Sequence, residues 1–312
     1  MDIIGTIMAA GRSAVELSLF TLLPVMVVML SIMRLAEAAG LLDRLTRLLA
    51  PLLRPFGLTG LSVIALLQVS FVSFAAPVAT LATMERQGVS DRHLATTFAM
   101  VLAMGQANVV FPMAALGLDI GRFIAISMMG GLVAATLTYH VFASRLSRDG
   151  QSDDTLVSLA AVEDARGVLA IINRAGSEAF RIATGSIPIM ALSLSIIAGV
   201  RAAGGLDGLD WLLSTPLDRL GIDPRLIAPT LSKYLGGGVA ALSAMATQEA
   251  AGAIDAEFVN RAADWLVHPL DLPGIAILTT AGSRVAKLWV VAAVGASVGI
   301  FVRATVGMFI GG

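Results

Sequence analysis

The sequence predicts an all-α, polytopic membrane protein that contains two inverted repeats. Three observations lead to this fold class: an apolar composition, a residue pattern that occurs twice at one offset, and helix-breaking residues at matched places in two apolar segments. Each repeat is expected to contain an interfacial amphipathic helix, a broken or re-entrant helical hairpin and about three spanning helices.

The composition is that of a chain that lies mostly in lipid. Hydrophobic residues make up 57% of the 312 residues and charged residues only 14%, against about 25% charged residues in a soluble domain. The length allows about eight spans of about 20 residues and leaves no room for a soluble catalytic domain. The net charge of −1 gives no indication of nucleic-acid binding. The absence of cysteine excludes disulfides and thiol chemistry.

A repeated pattern relates the two halves of the chain. Pro24 and Met26 recur as Pro188 and Met190. The same offset carries segments 30–32, 39–43 and 82–88 onto segments 194–196, 203–207 and 246–252. An ungapped offset that holds from residue 23 to residue 91 indicates an internal duplication. Duplicated membrane units are common in transport proteins, whose sites lie between the two units.

The apolar stretches divide the chain into a first membrane repeat (1–144), a polar connector (145–180) and a second membrane repeat (181–312). Backbone groups in lipid must be satisfied within the segment, so the apolar stretches are predicted to be helices. These stretches are 13–38, 59–87, 92–117, 120–144, 181–203, 224–250, 256–281 and 285–310.

A shorter amphipathic segment follows the first stretch of each repeat. In segment 41–56 the apolar residues recur at helical spacing and the charged residues fall on the other face. This pattern favours a helix that lies in the membrane interface. The counterpart, segment 206–220, contains Trp211, a residue type favoured at that depth. The alternative is a surface helix that packs on the bundle.

Helix-breaking residues interrupt the second apolar stretch of each repeat. Segment 73–77 ends in Pro77, and Gly236–Gly238 interrupts the second copy at the aligned place. Proline and consecutive glycines both break helices, and in membranes such breaks occur where the backbone is buried in protein or lines a cavity. We therefore expect two re-entrant hairpins. The alternative is a kinked helix that crosses the whole membrane.

The arginine and lysine residues that flank the stretches bear on the orientation of the repeats. If every stretch crossed the membrane, these residues would divide evenly between the two sides. If the second stretch of each repeat is a hairpin, the repeats become antiparallel and most flanking charges fall on the connector side. The positive-inside rule favours this inverted arrangement, with the connector in the cytoplasm and both termini outside.

The motif Ala-Thr-x-Glu-x-x-Gly occurs in both repeats and supplies candidate binding residues. It places Thr83 and Glu85 in the first repeat, and Thr247 and Glu249 in the second, where Gln248 precedes the glutamate. A carboxylate at the end of an apolar stretch needs a partner or water, so these residues could face a polar cavity. The alternative is that each glutamate ends a helix at the water interface.

Polar residues also interrupt the third stretch of each repeat. Gln106 and Asn108 precede Pro112, and Asp271 lies between two prolines in segment 268–274. Proline frees backbone carbonyls, and amide or carboxylate side chains beside it are typical of an unwound segment that binds a small solute or a cation through oxygen. The alternative is hydrogen bonding between helices.

Lys233, one of two lysines, lies just before the triple glycine. If it is buried it needs a carboxylate, and Glu249 or Asp271 could serve; otherwise it could extend to the interface. Gln68 occupies the matching part of the first copy. The candidate substrate-binding residues are Gln68, Thr83, Glu85, Gln106, Asn108, Lys233, Thr247, Gln248, Glu249 and Asp271.

The duplicated order of interfacial helix, broken hairpin and polar-interrupted helix resembles the nucleoside-recognition (gate) membrane family. Its relatives include spore maturation proteins A and B, the membrane domain of the ferrous-iron transporter B proteins and the concentrative nucleoside transporters. The segment Thr247-Gln248-Glu249 is similar to the Gln-Thr-Glu of a hairpin in nucleoside transporters, in a different order. The resemblance implies that Gln248 and Glu249 contact a base or ribose, with Asn108 in an unwound helix nearby.

Together these features predict a multi-pass inner-membrane transporter that passes a small polar, nucleoside-like solute or a cation through a midplane site between the repeats. The alternative is a membrane assembly protein that does not transport. No nucleophile–base pair is visible, so an enzyme is not expected, and Gly295–Gly299, which formally matches GxSxG, is better explained by helix packing. The expected partners are the lipid bilayer, the solute and another copy of the chain, without nucleic acid or cofactor; a metal is left open.

Overall fold

The computed structural model describes residues 3–148, 167–219 and 221–310, and within these ranges all regular secondary structure is helical. The α-helices of the first half are α1 (Ile3–Glu16), α2 (Leu23–Ala38), α3 (Leu41–Leu53), α4 (Gly60–Phe71), α5 (Pro77–Arg86), α6 (Asp91–Ala103), α7 (Ala107–Met113) and α8 (Ile120–Leu137). Those of the second half are α9 (Val168–Ala202), α10 (Gly205–Arg219), α11 (Ile227–Gly236), α12 (Gly238–Ala250), α13 (Ala256–Leu266), α14 (Leu272–Leu278) and α15 (Ser283–Ile310).

The duplication seen in the sequence extends to the secondary structure. Helices α3 and α10 begin at Leu41 and Gly205, and α5 and α12 end at Arg86 and Ala250, so both pairs keep the offset that relates Pro24 to Pro188. In the described part of the chain, α3 to α8 recur in the same order as α10 to α15. The long helix α9 corresponds to α1 and α2 together.

Five helical segments among the described residues are long and apolar enough to cross a membrane, so the predicted multi-pass architecture is confirmed. They are Ile4–Ala38, Asp91–Leu116, Ile120–Phe142, Val168–Val200 and Ser283–Ile310. The segment from α13 to α14 corresponds to Asp91–Leu116 but is interrupted by a non-helical stretch, 267–271.

Two predicted boundaries differ from the structure. The first span begins near Ile4 rather than at residue 13, and α9 begins at Val168, inside the segment 145–180 that was predicted to be a polar connector. In both places a charged residue, such as Arg12 or Arg174, interrupts an apolar run without ending the helix. A helix of this length extends beyond the hydrocarbon core, so it can carry charges near its ends.

The predicted amphipathic segments form α3 and α10, and each follows a glycine in the left-handed conformation, Gly40 and Gly204. The helical segment Arg44–Phe56 makes an angle of 105° with α4, and Leu48 and Leu52 of α3 are about two-thirds exposed. A perpendicular helix with exposed leucines is suited to the membrane interface.

Both broken stretches reverse direction, so the hairpin prediction is confirmed and a kinked spanning helix is excluded. In the first, Thr80 Oγ1 donates to Gln68 Oε1 at 2.8 Å, although a straight helix would hold these residues about 18 Å apart. In the second, Gln248 Nε2 donates to the carbonyl of Arg225 at 3.2 Å, whereas a straight helix would hold these two residues about 35 Å apart. The chain turns at residues 72–76 and at Gly237.

The helices α8 and α15, which are equivalent in the duplication, pack tightly and run antiparallel. Gly130 lies against Gly299, while Thr138, two turns later and directly after the end of α8, lies against Gly295, one turn earlier in α15. A Cβ atom on Gly295 or Gly299 would collide with α8. The glycines of the GxSxG-like segment therefore permit close helix packing, as predicted.

Candidate functional site

A cavity of about 280 Å³ lies where the two hairpin turns meet. Its walls include residues 73–75 of the first hairpin, 236–238 of the second, and the side chains of Gln106, Asn108 and Asp271. These three polar side chains are almost fully buried, with exposed fractions of 2%, 3% and 4%. The prediction that the two breaks meet is therefore confirmed.

Gln106 and Asp271 come from two unwound segments, as the sequence predicted, whereas Asn108 lies in the first turn of α7. The first unwound segment runs from Met104 to Gln106, between α6 and α7, and the second from 267 to 271, between α13 and α14. The amide of Gly105 donates to Ser127 Oγ at 2.6 Å, which anchors the first segment on α8. The equivalent helices of the two repeats are thus interrupted at equivalent places, and both interruptions reach the cavity.

Arg303 of α15 holds both unwound segments and is fully buried. It donates to the carbonyls of Ala103 (2.8 Å), Asp264 (2.8 Å), Ala263 (3.3 Å) and Val267 (2.8 Å). These carbonyls end α6 and α13, where the helix dipole is negative. In the sequence, Arg303 is one of the charges that flank an apolar stretch. The signal that could have found it is an arginine inside a 28-residue apolar helix.

Lys233 is buried and forms an ion pair with Asp271. The ammonium donates to Oδ2 of Asp271, while Oδ1 accepts the amide of Gly274 at 2.6 Å and caps α14. Of the alternatives left open by the sequence, the structure selects burial with Asp271 over a pair with Glu249 or an extended side chain.

The triple glycine lets the two repeats approach each other. Gly237 has a φ of 83°, a left-handed conformation that favours glycine. The Cα of Gly238 lies against the side-chain nitrogen Nε2 of Gln106, and a Cβ at this position would overlap that nitrogen. Glycine at position 238 therefore lets the hairpin of the second repeat contact the unwound segment of the first without displacing the end of the Gln106 side chain.

The two buried amides keep unused hydrogen-bonding capacity. Asn108 Oδ1 accepts the amide of Phe74 at 3.4 Å, and Gln106 Nε2 lies 3.5 Å from the carbonyl of His268, the outer limit for such a bond. Within the described residues, Gln106 Oε1 and Asn108 Nδ2 have no protein partner, and neither is a fully buried atom. Both atoms are therefore accessible from the cavity and can form hydrogen bonds with a polar occupant.

Three other predicted residues of the first repeat have contacts outside the cavity. The Glu85 carboxylate accepts the amides of Arg284 (3.1 Å) and Val285 (3.0 Å), so it caps the N-terminus of α15. Thr83 Oγ1 donates to the carbonyl of Ala79 at 2.9 Å. Gln68 receives the bond from Thr80 described above and closes the first hairpin.

The structure places Thr247, Gln248 and Glu249 at the far end of α12, more than two turns beyond the break at Gly237. Thr247 and Glu249 are exposed. Thr247 and Gln248 line a different cavity of about 530 Å³, formed by α1, α9 and the second hairpin. The structure therefore does not bring this segment together with Gln106, Asn108 and Asp271.

One charged side chain at the cavity was missed by the sequence analysis. Arg181 of α9 contributes to its wall and is exposed. It was counted among the flanking charges because it precedes the apolar run that was predicted to start the second repeat. Its position well inside a single helix, Val168–Ala202, is the signal that could have indicated a role inside the bundle.

Comparison with known proteins agrees with this architecture. A family model described as "Gate: Nucleoside recognition" matches residues 19–127. CNTnw, a concentrative nucleoside transporter, is similar in an inward-facing substrate-bound state, with a TM-score of 0.72 and 20% identity over 99% of this chain and 84% of that chain. A CNTnw variant in an outward-facing state gives 0.72 and 19% over the same shares, and a variant in an intermediate state gives 0.65 and 19% over 98% and 86%.

No curated protein sequence matches the chain. The predicted resemblance to the nucleoside-recognition family is confirmed, and the chain is a multi-pass, all-helical membrane protein with the fold of the CNTnw structures. At about one-fifth identity this similarity concerns the fold, so the solute has to be argued from the cavity.

Proposed function

We propose that the chain is a membrane transporter, without enzymatic activity, that binds a small polar, nucleoside-like solute in the cavity between the two hairpin turns. One observation carries this proposal: two helix breaks and two unwound segments, from both repeats, converge on one cavity that contains buried amides with unused hydrogen-bonding capacity. Broken helices that meet inside a membrane protein are typical of transporter sites.

Apart from Arg181, which is exposed at the wall, the chemistry of the cavity favours a neutral polar solute. Gln106 and Asn108 can donate and accept hydrogen bonds, as the edge of a base or the hydroxyls of a sugar require. Asp271 is neutralised by Lys233, so it contributes little net charge. The cavity volume of about 280 Å³ lies just below the usual range of about 300–1,000 Å³ for ligand pockets, which suits a small solute.

The antiparallel packing of α8 and α15 supports two inverted repeats related by a pseudo-twofold axis in the membrane plane. In that arrangement the hairpins approach the cavity from opposite sides of the membrane, as alternating access requires. The flanking charges favour a cytoplasmic connector and an inner-membrane location. Assembly with further copies of the chain is compatible with this arrangement.

A membrane assembly protein that does not transport is the other candidate. That function would not need polar groups in the interior, and a dry, apolar centre would have favoured it. The buried amides and the ion pair at the hairpin turns support the transporter instead, because each adds a desolvation cost that a purely structural interior avoids.

Uptake of radiolabelled uridine, adenosine and guanosine into proteoliposomes tests the proposal. We expect uptake above that of empty liposomes for at least one of them, and its loss in Asn108→Leu, which keeps the size of the side chain but removes its amide. Asn173→Leu is the matched control, because Asn173 is exposed on α9 away from the cavity, and it should transport as the unmodified chain does. If uptake of all three nucleosides were no higher than in empty liposomes, a nucleoside-like solute would be contradicted.

A further inference from the structure

The second hairpin break has the features of a cation site. Asp271 begins α14 after an unwound segment, and its two carboxylate oxygens lie next to the backbone of Gly237, where α11 has just ended. The C-terminus of a helix carries the negative end of its dipole. Unwound segments and half-helix C-termini are the places where transporters hold their coupling cations.

A buried carboxylate at such a place requires a positive counter-charge, since an uncompensated charge in the interior is very costly. Here the ammonium group of Lys233 supplies it. Lys233 lies in the last turn of α11, just before Gly237, and its side chain is fully buried. The counter-charge is therefore attached covalently to the hairpin that forms the break.

The pair is specific to the second repeat. The offset between the repeats aligns Lys233 with the apolar Val69, and the residue of α7 that corresponds to Asp271, the N-cap of α14, is the uncharged Gln106. The ion pair is thus not a general requirement for turning a hairpin in this fold. The first hairpin makes its turn with neutral bonds, such as that between Thr80 and Gln68.

We propose that the Lys233 ammonium permanently occupies the cation position of the second break, so that this break binds no free monovalent cation. The occupancy is independent of which solute the cavity takes. Only one consequence rests on the proposed function: solute transport is not coupled to a cation that binds at the second break.

The test removes the tethered ammonium and supplies a free one. Lys233→Ala deletes the side chain beyond Cβ and leaves space beside Asp271. The thermal midpoint of the purified protein is measured in chloride salts of sodium, ammonium, methylammonium and N-methylglucamine at equal ionic strength; the last cation is too large to enter. In N-methylglucamine, Lys233→Ala should lower the midpoint by about 10 °C. At least half of that loss should return with methylammonium or another small cation.

Two control variants separate binding from general salt effects. Lys233→Met fills the space without a charge, so it should lose stability without being rescued. In the double variant Lys233→Ala with Asp271→Asn the carboxylate is gone, so small cations should again have no effect. The midpoint of the unmodified protein should be the same in all four salts.

If Lys233→Ala cannot be isolated without a small cation, the folded yield after solubilisation gives the same comparison, and methylammonium should raise it relative to N-methylglucamine. Two results would overturn the proposal: a Lys233→Ala protein that responds equally to all four cations, or an unmodified protein that small cations stabilise through Asp271. Neither result depends on nucleoside uptake, so failure here and failure of the proposed transport can be distinguished.

Discussion

Replacing Arg303 with methionine should release both unwound segments that form the cavity. The guanidinium group donates to four carbonyls, one at the end of α6 and three at the end of α13. Methionine fills most of the volume but donates nothing, so these carbonyls lose a charged partner. A buried acceptor left without its donor costs about 1–3 kcal/mol, so the loss of these bonds should together cost at least about 3 kcal/mol. We expect the free energy of unfolding to fall by at least that amount.

The location of the destabilised segments along the chain is a sharper measurement than the total loss of stability. Hydrogen exchange should increase in Met104–Gln106 and also in 267–271, although these segments belong to different repeats. Arg303→Lys keeps the charge but lacks the planar fork that reaches both helices, so it should restore only part of the protection. Arg284→Met provides the control: this partly exposed arginine near the start of the same helix pairs with Asp91, and its loss should cost about 1 kcal/mol.

An Arg303→Met protein whose free energy of unfolding lies within about 1 kcal/mol of the unmodified protein, the size of an ordinary surface effect, would contradict this role of Arg303. Exchange that increased in only one of the two unwound segments would contradict it as well. In that case Arg303 would be a local capping residue and would not couple the two repeats.

Three further predictions concern the hairpins, the caps and the topology. Gly238→Ala should reduce nucleoside uptake, because its new methyl group displaces the end of the Gln106 side chain from its place in the cavity wall. Uptake by Gly238→Ala equal to that of the unmodified chain would contradict the described contact. Glu85→Gln should lower the free energy of unfolding by about 1 kcal/mol, the usual cost of a lost cap. In the same denaturation experiment, Glu249→Gln should change it by less than about 0.5 kcal/mol, because Glu249 is exposed. Equal losses in the two variants would argue against the cap. In this cysteine-free chain, single cysteines at Ser147 and at the C-terminal residue should react with an impermeant thiol reagent from opposite sides, and labelling from one side would exclude inverted repeats.

The elements around the cavity could be predicted because their signals are local and occur twice. Pro77 and the glycines at 236–238 disfavour a continuous helix, and Gln106, Asn108 and Asp271 are expensive in an apolar stretch unless they line a site or bond another helix. The left-handed glycines Gly88 and Gly252 were likewise predictable as helix stops. Each of these conclusions needs only a residue and its immediate neighbours.

The residues that the structure places away from the cavity have partners that are distant in the sequence. The repeated Thr-x-Glu motif ends α5 and α12, so its recurrence follows from the duplicated helix ends, and one copy, Glu85, found a role at the start of α15, in the other half of the chain. Arg303 likewise has a partner, Ala103, in the first repeat. Periodicity and hydropathy contain no information about such partners, because they describe one segment at a time.

The tight crossing of α8 and α15 bears on how the fold arose. These helices are copies of one ancestral helix, and they meet through their small residues in antiparallel orientation. A single ancestral repeat could have formed the same contact as a homodimer whose two subunits were inserted in opposite orientations. Features present in one copy only, such as the Lys233–Asp271 pair and Arg303, whose counterpart is Tyr139, would then date from after the fusion. Only a fused chain can place an arginine on one copy of a helix and leave the other copy without it.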